Sequence, residues 1–160
     1  MQAYHGQESI KANLVAQMQS HQDADEIVHG QYWSGGKGCA IGCIAHNPNS
    51  GVAHEKVAKL MNVPIQLAYL VDDLFEALPN GNAKAFPLRF LKAIRPGADL
   101  SRIWVKFAHW MLADSTVGIL ALPDLADDVK VPTTKIAELL GIEAADGTLT
   151  SGQVSEGDAA

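Results

Sequence analysis

Apolar positions along the chain recur at helical rather than strand spacing. Ile10, Leu14 and Met18 stand at i, i+4 and i+8, which predicts a helix over residues 8–22. A polar, glycine-rich stretch over residues 30–38 gives way to the apolar run 39–45, and Asn47-Pro48-Asn49-Ser50-Gly51 has the composition of a loop. Val57, Leu60 and Met61 mark a short helix. Pro64 suits the first position of the next, which runs to about Leu78. Its apolar face is Leu67, Leu70, Val71, Leu74 and Leu78, with Tyr69, Asp72, Asp73 and Glu76 opposite; Asp72, Asp73 and Glu76 are of the type to hold a hard cation, but their place opposite the apolar face reads as a solvated side. Pro79-Asn80-Gly81 ends it. A further helix is predicted from near Pro87 to before Pro96-Gly97, and another over residues 100–113. There Leu100, Ile103, Trp104, Phe107 and Met111 form the apolar stripe, with Arg102, Lys106 and His109 opposite. A last helix, capped by Thr133 or Thr134, ends at Gly141.

With no internal repeat and no set of alternating strands, this pattern predicts an all-α fold, an irregular bundle of about five to seven short helices. A chain of 160 residues with 48% hydrophobic and 19% charged positions has the composition of a globular domain. One helical domain is expected over residues 1–143, and the small, polar stretch 144–160 reads as a disordered tail. Two cysteines cannot form a disulfide scaffold, and no apolar run approaches the ~20 residues a bilayer requires. The expectation is a cytoplasmic protein with no membrane partner. Charge is uneven: residues 1–36 sum to -3, residues 37–106 to +4 and residues 107–160 to -7, which gives the overall -6. Acidic ends would repel a polyanion, so no nucleic-acid partner is expected.

The densest candidate chemistry lies in Tyr32-Trp33-Ser34-Gly35-Gly36-Lys37-Gly38-Cys39-Ala40-Ile41-Gly42-Cys43-Ile44-Ala45-His46. So many glycines cost backbone entropy unless positive φ or close backbone approach is needed. Were a helix to start near Gly38, its free amides and Lys37 would form an anion site, with Trp33, Gly35, Gly36 and Gly38 as the other ligand-binding positions. The same setting would lower the pKa of Cys39, making it a thiolate nucleophile with Cys43 as resolving thiol. Walker and dinucleotide-binding spacings are both absent, which disfavours ATP and NAD. The competing reading has the glycines permitting tight helix packing and both thiols inert in the core.

Two further constellations bear on the same segment. Cys39, Cys43, His46 and His54 are suitable zinc ligands by type, although their spacing matches no zinc finger; no other cofactor is predicted. His21, Asp25 and His29 stand at successive i+4 positions. If the first helix continues through them they share a face, and a histidine oriented by Asp25 could serve Cys39 as base. The plainer alternative is an ordinary ion pair at a helix end.

At Gly-Lys-Gly-Cys-Ala-Ile-Gly-Cys, with Leu78-Pro79-Asn80-Gly81 and Gly97-Ala98-Asp99-Leu100-Ser101 followed by Trp104, residues 15–115 resemble a group of small bacterial proteins without assigned activity. The resemblance implies a bacterial or phage setting and a single domain. It assigns no residue a role. The functional expectation is a domain binding a small anionic molecule at residues 33–46, with thiolate chemistry at Cys39. The alternatives are a homodimeric interaction module using the Trp104 to Met111 region, and a zinc-binding domain.

Overall fold

The computed structural model of the chain describes residues 1–45, 53–145 and Leu149. Among these residues the regular elements are α1 (Glu8–Asp23), α2 (Ala40–Ala45), α3 (Ala53–Met61), α4 (Ile65–Ala77), α5 (Asn80–Ala93), α6 (Ile103–Ala113) and α7 (Asp127–Ala144), joined by short 3-10 turns. Extended segments meet only as isolated bridges. Among the described residues the fold is all-α, an irregular bundle of seven helices.

Contacts divide the chain into two compact units, Met1–Ser101 with α1–α5 and Arg102–Ala160 with α6 and α7. The predicted loop over residues 47–51 and most of the predicted tail lie outside the described residues.

In the first unit the shortest helix occupies the centre. All six residues of α2 are buried, as expected for a helix that is apolar all round, and it packs on α1, α3 and α4. Its C-terminal carbonyls find a partner in α1, where Gln17 Nε2 donates to the carbonyl oxygens of Cys43 at 2.6 Å and Ile44 at 3.0 Å. Tyr4 closes the unit from the N-terminal side: its buried hydroxyl donates to the Leu91 carbonyl of α5 at 2.8 Å.

Several boundaries differ from the sequence pattern. Helix α5 begins at Asn80, seven residues before Pro87, which sits inside the helix. The Asn-Gly-Asn turn signal yields because burial of Ala83, Pro87, Leu88 and Leu91 in one helix face outweighs it. Helix α7 starts at Asp127 rather than at Thr133 or Thr134, and Thr134 Oγ1 instead donates back to the Lys130 carbonyl within the helix. Leu100 lies outside α6, in a turn where Asp99 Oδ1 accepts from the Ser101 amide and hydroxyl.

Candidate metal centre

The glycine-rich segment is a tight hairpin leading into α2. Ser34 and Lys37 exchange both backbone hydrogen bonds, at 2.8 and 3.0 Å, around Gly35 and Gly36, whose φ values of 58° and 81° suit the mirror-image two-residue turn. Gly38 and Gly42 answer a different need. A Cβ on either would lie 2.2 or 1.5 Å from the Tyr32 carbonyl oxygen, so the Tyr32 backbone can lie against the start of α2 only where side chains are missing.

Lys37 is exposed at this turn. The amides that the sequence offered to an anion belong to a helix of only six residues, and those of Ile41 and Gly42 are directed at the Cys39 sulfur, which stands just before α2 in the manner of a capping residue. They pull the Cys39 pKa down, but burial outweighs them and the thiol is pushed up to about 12. Cys43 is likewise raised to about 12, chiefly by burial and then by the charges of Cys39 and Glu26, and its thiol donates to the Gly38 carbonyl at 3.4 Å. Both cysteines are free and buried. The expected low-pKa thiolate at Cys39 is therefore corrected: desolvation exceeds the pull of two amides.

The expected alignment of His21, Asp25 and His29 does not form, because α1 ends at Asp23 and Asp25 takes a left-handed φ of 55°. Its carboxylate pairs with Lys84. His21 is buried against Trp33, with ring centroids 5.2 Å apart, and its Nδ1 lies 2.6 Å from Glu26 Oε2. His29 hydrogen-bonds through Nε2 to the Phe75 carbonyl at 3.1 Å. The three residues have three different partners. His46 lies outside the described residues.

What surrounds Cys39 is instead the polar side of α4. A pocket of about 200 Å³ is lined by Gly30, Gln31, Tyr32, Cys39, Asp72 and Glu76. The Cys39 sulfur and one carboxylate oxygen from each of Asp72 and Glu76 all lie within 4.8 Å of one another, and these three residues could hold a metal ion. Asp72 and Glu76 are one helical turn apart, so their side chains project together. The solvated side expected of this helix is thus corrected for Asp72, whose side chain is only 18% exposed.

Each carboxylate is fixed from behind. His54 Nε2 lies 2.9 Å from Asp72 Oδ2, and its ring stacks on Tyr69 at 4.4 Å while Nδ1 lies 3.5 Å from the Tyr32 hydroxyl. The Gly30 amide donates to both oxygens of Glu76 at 3.0 Å. The remaining oxygen of Asp72, Oδ1, is buried, with no nitrogen or hydroxyl donor, and the Cys39 thiol hydrogen-bonds to the Asp72 carboxylate. Charge from Asp72 adds to the raised pKa of the adjacent Cys39 thiol.

Of the residues considered from the sequence, Cys39, Asp72 and Glu76 meet at this pocket, and His54 reaches it through Asp72. Asp72 and Glu76 were legible as an i, i+4 acidic pair, but nothing in the linear pattern brought α4 to the cysteine. No family model, curated protein or solved structure matches the chain.

Proposed function

We propose that this protein is a metal-binding domain that takes a zinc-type divalent cation through Cys39, Asp72 and Glu76. The observation that carries the reading is the meeting of the Cys39 sulfur with one carboxylate oxygen from each of Asp72 and Glu76, all within 4.8 Å of one another. The thiol of Cys39 is a weak donor to the buried Asp72 carboxylate, and a cation at this point would satisfy that carboxylate more fully. A mixed sulfur and carboxylate donor set suits zinc better than magnesium or calcium, which prefer oxygen alone.

Metal bonds of roughly 2.0–2.3 Å need donor atoms roughly 3.5 Å apart, which lies inside the 4.8 Å that bounds the present separations. Glu76 is exposed, and its carboxylate is held by the Gly30 amide. His54 and the Gly30 amide would act as orienting partners of the two carboxylates, a role that outer hydrogen bonds commonly have around metals. Three protein ligands leave one position toward the pocket for water or a small ligand, the arrangement found in catalytic zinc sites. Two carboxylates at the pocket weigh against the anionic ligand suggested by the glycine-rich segment.

The test is metal titration of protein purified without a metal-affinity resin, using zinc and then cobalt as a spectroscopic probe. One equivalent should bind, with a thiolate-to-cobalt absorption that disappears in Cys39→Ser. His54→Ala should weaken binding by about 10–100-fold. Zinc bound equally well by Cys39→Ser, or no binding at all, would reject the reading.

A further inference from the structure

Within the first unit, α1, α3 and the 3-10 turn Ala3–Gly6 pack on one another and leave a cavity that shares no lining residue with the Cys39 pocket. Its volume is about 510 Å³, inside the roughly 300–1,000 Å³ typical of small-molecule sites. Leu14 is buried along it, and Ile10 and Leu60 are half-buried. The inner wall is therefore aliphatic. Among the described residues no Phe, Tyr or Trp lines it.

The rest of the lining is His5, Asn13, Lys56 and Lys59, so every titratable side chain at the cavity is basic. Lys56 and Lys59 stand about one turn apart on α3, and the ion pairs formed among the described residues involve neither of them. Glu55, four residues before Lys59, has the spacing of a helical partner, yet no ion pair joins the two. Two ammonium groups at this spacing repel one another, and an anion beside both would replace repulsion by attraction. Their aliphatic stems extend the apolar wall while the charged heads stay in water.

The side of the cavity formed by His5 is held in place at a conformational cost. Tyr4 and His5 take left-handed φ values of 52° and 53°, which side chains with a Cβ rarely adopt. Hydrogen bonds fix them there: Ala3 exchanges backbone bonds with Gly97 and Ala98, and the Tyr4 hydroxyl is anchored on Leu91. His5 Nε2 donates to the Lys59 carbonyl at 2.9 Å, which ties the turn to α3. We propose that this cavity binds a fatty acid, the alkyl chain lying along Ile10, Leu14 and Leu60 and the carboxylate meeting Lys56 and Lys59. An aliphatic wall without aromatic rings suits a flexible chain better than a flat ring, and the basic side chains set the sign of the headgroup.

The experiment is calorimetric titration of the full chain with decanoate, octanoate and decanol, each below the concentration at which it aggregates. A chelator is present, so that a carboxylate cannot report on a metal at Cys39. Decanoate should bind at one equivalent. Octanoate, with two methylenes fewer on the apolar wall, should bind about fifteenfold more weakly. Decanol, which keeps the chain and lacks the charge, should bind at least about tenfold more weakly. Lys56→Glu combined with Lys59→Glu should weaken decanoate by at least about tenfold, leaving decanol binding and helical circular dichroism unchanged. Failure of decanoate to bind saturably would overturn the proposal. So would octanoate or decanol bound as tightly as decanoate, or decanoate bound equally well by the folded double variant.

Discussion

Burial of a thiol has a consequence that can be read by pH. Cys39 and Cys43 each have a pKa raised from 9.0 to about 12 in the folded chain, first of all because desolvation disfavours the thiolate. A raised acid pKa means that the folded state retains protons which the unfolded state releases. Stability from this source is complete below pH 9 and falls as the pH climbs from there toward 12. Urea melts on either side of pH 9 should record that decline, and Cys43→Ala should reduce it. A flat profile would mean that the thiols are less desolvated than their surroundings imply. The same burial makes both cysteines slow toward alkylating reagents at neutral pH, because the reactive thiolate is scarce. The sequence offered two environments for Cys39, a helix start that favours the thiolate and an apolar run that opposes it. Only the depth of burial ranks them.

Among the elements, α2 is where local sequence and tertiary packing are most tightly bound together. Its six residues are too few to hold a helix on their own, and it exists because its whole circumference is covered and its ends are capped by Cys39 and Gln17. Gly42 admits the Tyr32 backbone at a distance no side chain would tolerate. Gly42→Ala should therefore cost about 3 kcal/mol or prevent folding, since the clash is with backbone on one side and helix on the other. Gly35→Ala should cost only about 1 kcal/mol, because its positive φ strains an alanine while the space beside it is open. Denaturant melts of the two variants separate these effects, and equal losses would refute the close-approach argument. The glycines were recognisable in the sequence as requiring a backbone reason. Which of them served a turn and which a close approach depended on where Tyr32 returned.

At the scale of the molecule, the candidate site lies entirely within the first unit, so metal should stabilise that unit selectively. Zinc at a hundred times its dissociation constant adds about 2.7 kcal/mol to a state that alone binds it. Calorimetry should show one transition moving upward with zinc while melting assigned to α6 and α7 stays in place. A uniform shift of the whole profile would speak against a site confined to α2 and α4. Periodicity alone established the all-α class and the approximate course of α1, α3, α4 and α6, because a spacing of three to four residues is a local property of a helix that must bury one face. It misjudged the starts of α5 and α7, where turn-forming residues lost to burial spread along the whole helix. It also could not pair Cys39 with Asp72 and Glu76, which are brought together by α2 packing on α4 across more than thirty residues of chain. The stripe on α6 was visible as well, yet the exposure of Met111 within it was not. A helix face is set by residue spacing, but what that face meets is decided by the elements beside it, and in α6 the room left by Gly141 admits the His109 ring.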